Sequence, residues 1–372
     1  MTISDDLYAT RLTINLDAIA QNYRQLQAML DPAGTQAGAA VKANGYGLGA
    51  RPVVRALWQA GCRNFFVAHP HEGVVVREEL PDARIHILNG PLPDAIDDYL
   101  HFGLIPVLNS LGDIALWRNA AQKRGVALAA NVHLDTGMCR LGLDLGETEA
   151  FLSNAEHFLQ GIDLQLCMSH LASADDPESD QSARQLKLFQ SAFKRLGRGL
   201  GSFSNSSGIF LGADYHFDIA RPGVALYGGN PTPYRENPMQ NPVSLYARIL
   251  QVRNVDVPET VGYGATHVVN GPRRIATVPV GYADGFLRQG SDVGMAYIGD
   301  FPAPIAGRVS MDLITLDVTD VPEHLARPGA MAEFLGPHQT ADDLARDWQT
   351  IPYEVLTGLG QRYARVYEGT GA

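Results

Sequence analysis

From residue 15 to about residue 229 the chain alternates short apolar runs rich in β-branched residues with stretches whose apolar residues recur at helical spacing. That alternation narrows the fold more than any other feature, because it is the pattern of repeated βα units. Strands are expected at residues 36–41, 63–68, 83–88, 104–108, 127–134, 164–170, 201–205 and 216–220, mostly with room for one helix between them. Eight such units close into a (β/α)8 TIM-like barrel of the α/β class. The stripes Ile14, Ile19, Tyr23, Leu26, Leu30 and Leu186, Phe189, Phe193, Leu196 read as core faces of intervening helices.

Past the proline-rich stretch 230–242 the pattern changes to closely spaced strand-like runs at 244–257, 274–280, 303–309 and 313–318, then a helical pattern at 341–348 and a last run at 362–367. The expected division is a barrel domain over residues 1–240 and a mostly β C-terminal domain over 241–372. Residues 1–12, and the run 9–16 in particular, are candidates to pair with the second domain's sheet.

With 372 residues, 45% hydrophobic and 19% charged, the chain has the make-up of a soluble globular protein. A formal net charge of -11 leaves no basic stripe for nucleic acid or an anionic membrane, so neither is expected as a partner. No apolar run has the length of a signal segment or a membrane span, and a cytoplasmic location is expected. Cys62, Cys139 and Cys167 are too scattered for a disulfide framework or a metal site and read as reduced thiols; no metal is expected.

Barrel chemistry gathers where strands end and βα loops begin. Lys42 terminates the first strand and opens a turn-rich stretch, Ala43 to Gly49. A lysine ending an inward-facing strand is costly to bury as an ammonium, and a lowered pKa suits an amine nucleophile such as a Schiff-base lysine. Taken alone, such a lysine more often snorkels to water. Its neighbours favour the chemical reading: Asn205-Ser206-Ser207-Gly208 and Arg221-Pro222-Gly223-Val224 follow the seventh and eighth strands, where barrels commonly hold a phosphate. His170 ends the sixth strand, and Arg140 follows the fifth.

Residues 41–49 (VKANGYGLG) resemble the pyridoxal-phosphate attachment motif of the alanine racemase family. Residues 134–142 (LDTGMCRLG), His170, Asn205-Ser206, 221–228 (RPGVALYG), 262–266 (GYGAT), 281–285 (GYADG), 307–312 (GRVSMD) and 352–354 (PYE) recur in family order over nearly the whole chain. The resemblance implies an isomerase, a homodimer, pyridoxal 5'-phosphate carried by Lys42, and two bases on opposite faces of the substrate: Lys42, and Tyr263 from the other subunit. It further implies that Arg221 meets the pyridine nitrogen, His170 orients Arg221, and Tyr46, Asn205, Ser206, Gly223, Val224 and Tyr353 hold the cofactor. Arg140 and the backbone near Met311 would receive the substrate carboxylate, and Tyr282, Tyr353 and Asp312 would line the entrance. The product would be D-alanine, a peptidoglycan precursor, with biosynthetic and catabolic roles both open. A broad-spectrum amino-acid racemase or a decarboxylase on the same scaffold, and a non-catalytic cofactor-binding protein like the barrel alone, are the alternatives.

Three features depart from the family pattern. His133 stands where many members carry a lysine that steers the arginine at position 140, and a neutral imidazole is no anionic partner. Cys139 replaces a common glycine, with an expected effect on loop geometry. Gly45 and Leu48 stand where alanine and histidine are frequent.

Overall fold

The computed structural model describes residues 7–370; residues 1–6, part of the stretch expected to pair with the second domain, lie outside the described residues. The chain enters as strand β1 (Thr10–Asn15) and turns directly into helix α1 (Leu16–Leu30). The Asn15 side chain caps this helix, accepting from the Ala18 N–H at 2.9 Å. Ile19, Tyr23, Leu26 and Leu30 form the buried stripe that the spacing predicts. Ile14 belongs instead to β1, where two-residue alternation with Leu12 buries both.

The barrel is built from β2 (Gln36–Ala37), β3 (Ala39–Ala40), β4 (Asn64–Val67), β5 (Arg84–Ile87), β6 (Leu104–Leu108), β7 (Leu128–His133), β8 (Ile162–Met168), β9 (Leu200–Ser202) and β10 (Ile219–Ala220). β2 and β3 are one strand interrupted at Gly38, so the expected eight positions are all present. β3 to β9 form a parallel ladder in chain order, and β10 pairs in parallel with β2. Between β9 and β10 single bonds replace the ladder: Asp218 N–H to Gly201 O at 3.0 Å, Ser202 Oγ to Ile219 O at 2.6 Å, and Arg221 N–H to Ser204 O at 2.8 Å. The expected strand at 201–205 stops early because Asn205 leaves the sheet to cap the helix Ser206–Ile209, accepting from Gly208 N–H at 2.9 Å. The strand expected at 216–220 starts late because Phe217 has φ +53°, which no strand residue adopts.

The rest of the chain is mostly strand. It comprises β11 (Val243–Arg248), β12 (Gln251–Val255), β13 (Thr260–Val261), β14 (His267–Val268), β15 (Arg273–Val278), β16 (Met295–Ile298), β17 (Phe301–Pro304), β18 (Ile314–Asp317), β19 (Met331–Leu335) and β20 (Ala364–Glu368). One sheet has the order β17-β16-β19-β11-β1-β20, a second β12-β15-β18, and β13-β14 is a hairpin. β1 lies between β11, antiparallel, and β20, parallel. The single run expected at 244–257 is two strands in different sheets. The break falls at Ile249 and Leu250, whose N–H groups turn to Ala330 O at 2.7 Å and Thr277 O at 2.8 Å. The strand expected at 303–309 ends at Pro304, since Gly307 takes φ +85°. Two helices, Ala341–Asp347 and Pro352–Gly358, precede β20; the first fits the helical pattern, and the second had no separate signal. Among the described residues, no helix is long and apolar enough to cross a membrane.

Candidate active site

β3 ends at Ala40, and Lys42 opens a turn in which Ala43, Asn44, Gly45 and Tyr46 have φ of +52°, +55°, +64° and +54°. This is a turn of left-handed helix, costing about 1–2 kcal/mol for each residue other than glycine. It is held from several sides. Ala43 N–H donates to Glu72 Oε1 at 2.6 Å, and Ala50 N–H to Asn44 Oδ1 at 2.8 Å. From β20, Arg365 donates to Gly47 O at 2.6 Å and the Tyr367 hydroxyl to Leu48 O at 3.0 Å. Lys42 itself is half-buried. Burial, and then the charge of Arg140, hold its amine below the ordinary lysine value, with Glu72 acting in the opposite sense.

Tyr46 is buried and stacks on Tyr227, ring centroids 4.5 Å apart, with Tyr353 tilted against it at 6.0 Å. Burial raises both the Tyr46 and Tyr353 phenols, the latter to about 12, so both are donors at neutral pH. Ser206 Oγ accepts from Gly223 N–H at 2.9 Å and Ala225 N–H at 3.3 Å, which leaves its proton to be donated elsewhere. Val224 opens the short turn Val224–Tyr227, so its N–H has no partner within that turn. A Cβ on Gly223 would overlap the Tyr46 hydroxyl. The result is a cradle of hydroxyls and amides after β9 and β10, suited to a phosphate.

Arg221, just after β10, is buried and faces no carboxylate among the described residues. It donates to Ser202 Oγ at 2.5 Å and Ser169 O at 2.6 Å, more weakly to Phe203 O and His170 Nδ1, each at 3.4 Å, and lies 6.0 Å over the Phe66 ring. Burial lowers it only to about 10, so it stays charged at neutral pH. Because a guanidinium cannot accept, His170 Nδ1 must be the unprotonated nitrogen. That matches a pKa held well below the usual histidine value by burial and then by Arg221. A buried cation with only neutral partners, beside a phosphate cradle and a lysine of lowered pKa, fits a phosphorylated ring bearing an aldehyde and a nitrogen acceptor.

Arg140 is exposed and has no hydrogen bond or ion pair among the described residues. Its loop is organised by Asp135, whose carboxylate accepts from the N–H groups of Gly137, Met138 and Cys139 at 2.9 Å each. Cys139 takes φ +55°, so it keeps a backbone conformation that favours glycine. His133 Nδ1 donates to Asn109 Oδ1 at 2.8 Å, the Asn109 amide nitrogen being spent on Leu88 O and Val107 O at 3.0 Å each. Burial, then Arg221, push His133 down to about 4. It is neutral and supplies Arg140 with no negative charge, as its identity predicts.

Lys42, Tyr46, Arg140, His170, Asn205, Ser206, Arg221, Gly223, Val224 and Tyr353 therefore gather around one barrel mouth. Tyr263, Tyr282, Met311 and Asp312 do not join them within this chain. Tyr263, just after β13, is 71% exposed and makes no side-chain hydrogen bond among the described residues. The turns of Tyr282 and Met311 interlock, Tyr282 N–H donating to Ser310 O at 3.0 Å and Ala283 N–H to Met311 O at 3.1 Å, and a Cβ on Gly281 would overlap Met311 O. Arg362 bridges them, with Nε 2.7 Å from buried Asp284 Oδ1 and Nη1 2.7 Å from Asp312 Oδ1. The Met311 N–H has no partner among the described residues, leaving it free for a carboxylate.

Glu72, Asn109, Ser169 and Ser202 had no signal in the sequence, since each acts through backbone groups or on a residue far along the chain; only the position of Glu72 three residues after His69, at a helix start, offered a clue. A cavity of about 600 Å³ lined by Arg118, Gln122, His157 and Gln160 opens at the other end of the barrel, where the chain enters β7 and β8, and contains none of these residues.

Residues 14–231 match the family model for the alanine racemase N-terminal domain, and residues 242–367 that for the alanine racemase C-terminal domain. The chain is 50% identical to an alanine racemase of Rhodospirillum rubrum over 366 residues, 98% of this chain and 97% of that one. It is 46% identical to one of Brucella ovis over 372 residues, 96% of this chain and 93% of that one. A crystal structure of alanine racemase from Bartonella henselae, with covalently bound pyridoxal phosphate, is similar at a TM-score of 0.92 and 39% identity, covering 96% of this chain and 99% of that one.

Proposed function

The chain belongs to the alanine racemase family, and from that premise we propose that it interconverts L-alanine and D-alanine with pyridoxal 5'-phosphate held on Lys42. One observation carries the reading: a lysine of lowered pKa, a hydroxyl-and-amide cradle and a buried arginine without a carboxylate share one barrel mouth.

Bound pyridoxal phosphate supplies an electron sink that renders the substrate Cα–H acidic. Tyr46, Ser206, Val224 and Tyr353 donate to its phosphate, with Asn205 and Gly223 shaping the cradle. Arg221 keeps its proton and donates it as a hydrogen bond to the ring nitrogen, which therefore stays unprotonated; this limits the sink and with it the lifetime over which side reactions compete. His170 buttresses Arg221. Lys42 would move a proton at Cα on one face and Tyr263 of a second copy would move one on the other, so that removal by one base and return by the other would invert the centre. Arg140 and the Met311 N–H bind the carboxylate, and Tyr282, Tyr353 and Asp312 narrow the entrance, restricting the side chain to a small one. The homodimer is supported by the exposure of Tyr263, Tyr282 and Met311, whose side chains make no hydrogen bond among the described residues. The exposed thiol of Cys139 suits the reducing cytoplasm.

The purified protein reconstituted with cofactor is expected to show a visible absorption band that borohydride abolishes, and to convert L-alanine to D-alanine in a chiral assay. A wild-type protein that stays colourless sinks the proposal. Stronger turnover of another amino acid than of alanine would replace the substrate while leaving the two-base chemistry in place.

A further inference from the structure

The strained turn after Lys42 has a single side-chain acceptor at its first left-handed residue, and that acceptor comes from a different βα unit. Glu72 lies in the first turn of the helix Pro70–Glu79, which follows β4. Its Oε1 accepts from Ala43 N–H at 2.6 Å, and its Oε2 from Ala68 N–H at 2.8 Å and His69 N–H at 3.0 Å. One carboxylate thus ties the chain leaving β3 to the chain leaving β4, at the mouth where Lys42 emerges. Three N–H groups converge on two oxygens without a competing donor, an arrangement for an ionised carboxylate, since an amide side chain would offer one acceptor oxygen and an unwanted donor. Among the described residues no salt bridge uses Glu72 up, although the neighbouring Glu78 and Glu79 are both paired with Arg51.

We propose that Glu72 is a positioning residue for Lys42, its carboxylate both fastening the left-handed turn that aims the lysine into the barrel mouth and acting as the negative charge that the lysine amine feels. The inference rests on the reading of Lys42 as cofactor anchor and base. The other titratable groups around Lys42 are few. Arg140, on the loop after β7, repels the ammonium; His170, after β8, is neutral, and Tyr46 on the same turn is a protonated phenol. Among the described residues Glu72 is therefore the negative charge opposing burial and Arg140 at this amine. It acts to raise the basicity of Lys42 against burial and Arg140, in a residue that must both take up and return a proton.

The composition makes this measurable, because the lysines of the chain are Lys42, Lys123, Lys187 and Lys194. In the full-length protein freed of cofactor, competitive acetylation across a pH series, read by mass spectrometry, reports the Lys42 midpoint with the other lysines as internal references. Glu72→Gln is expected to lower that midpoint by about one unit while the references stay fixed. It should also slow turnover with little change in KM. Should Glu72→Gln fail to fold, Glu72→Asp, which keeps the charge but withdraws it by one methylene, is expected to move the midpoint the same way by less. A Lys42 midpoint equal to wild type in whichever variant folds overturns the proposal. A wild-type protein that takes up no cofactor overturns instead the function on which the proposal rests, and the two failures are separable because acetylation needs no cofactor.

Discussion

Lys42 and Tyr263 are cast as a pair of bases, yet the chain surrounds them in opposite ways. Lys42 is half-buried, preceded by a barrel strand, followed by a turn braced from Glu72, Asn44, Arg365 and Tyr367, and flanked by Arg140. Tyr263 sits just beyond a two-residue strand, between Gly262 and Gly264, 71% exposed and, among the described residues, bonded to nothing through its side chain. The first environment is built within one chain; the second has no such surroundings among the described residues. A base with no surroundings to tune it is intelligible when another copy provides them, and this difference is the physical argument for a site shared between subunits.

The largest effect is expected at Lys42. Lys42→Ala is expected to lose both the visible absorption and racemisation, whereas Tyr263→Phe should keep the absorption and lose about 10²–10⁴-fold in racemisation. Spectra and a chiral assay on the same preparations check both. Tyr263→Phe should still exchange the Cα hydrogen of one enantiomer with heavy water, and exchange of both at equal rates would show that Tyr263 is not a base. Refolding the two inactive variants together should restore roughly a quarter of wild-type turnover, since about half of the dimers are mixed and each mixed dimer holds one intact site. No recovery, with mixed dimers demonstrated, would mean that Lys42 and Tyr263 serve a site within one chain.

A smaller effect is expected at the cradle. Gly223→Ala puts a methyl group against the Tyr46 hydroxyl, and overpacking of that kind, at about 1–3 kcal/mol, should weaken cofactor affinity tenfold or more. Turnover at saturating cofactor should change little. Equilibrium titration of the cofactor-free protein gives the answer, and unchanged affinity would remove Gly223 from the cradle.

The smallest effect contrasts the two domains by pH. In the barrel, burial lowers His86 to about 3 and His133 to about 4, so the unfolded chain takes up protons below the usual 6.5 that the folded chain refuses. Stability from these groups is complete above that value and is lost as pH falls, by up to about 1.4 kcal/mol per unit for each. His338 runs the other way: its pairing with Glu333 raises it, so its contribution is present below the ordinary histidine value and fades as pH rises through the raised one. Urea midpoints at neutral pH and at about pH 5 should fall in acid, less so in His86→Leu. An equal fall in that variant assigns the loss elsewhere.

The barrel strands and the Lys42 position were legible because burial on both faces produces apolar runs and because a lysine at the end of one is conspicuous. The C-terminal sheets were less so. β19 carries Glu333 in its middle, a charge that argues against a buried strand until Tyr246 and His338 are seen to satisfy it. The run 244–257 read as one strand because nothing in its apolar pattern marks the point where two N–H groups change sheets. At the site, His133 was flagged by its identity, but its partner Asn109 was not, because a polar residue after an apolar strand has no distinguishing sign.

β1 has a consequence of another kind. Its neighbours in the sheet are β11 and β20, both C-terminal to the barrel, so β1 finds these partners only after the whole barrel has been made. Until then α1, which follows β1 without a break, is tethered at one end only, and a strand with unsatisfied edges must be kept from pairing with other chains. The order of synthesis and the order of assembly thus run in opposite directions at this seam, and the barrel must be made before β1 is paired.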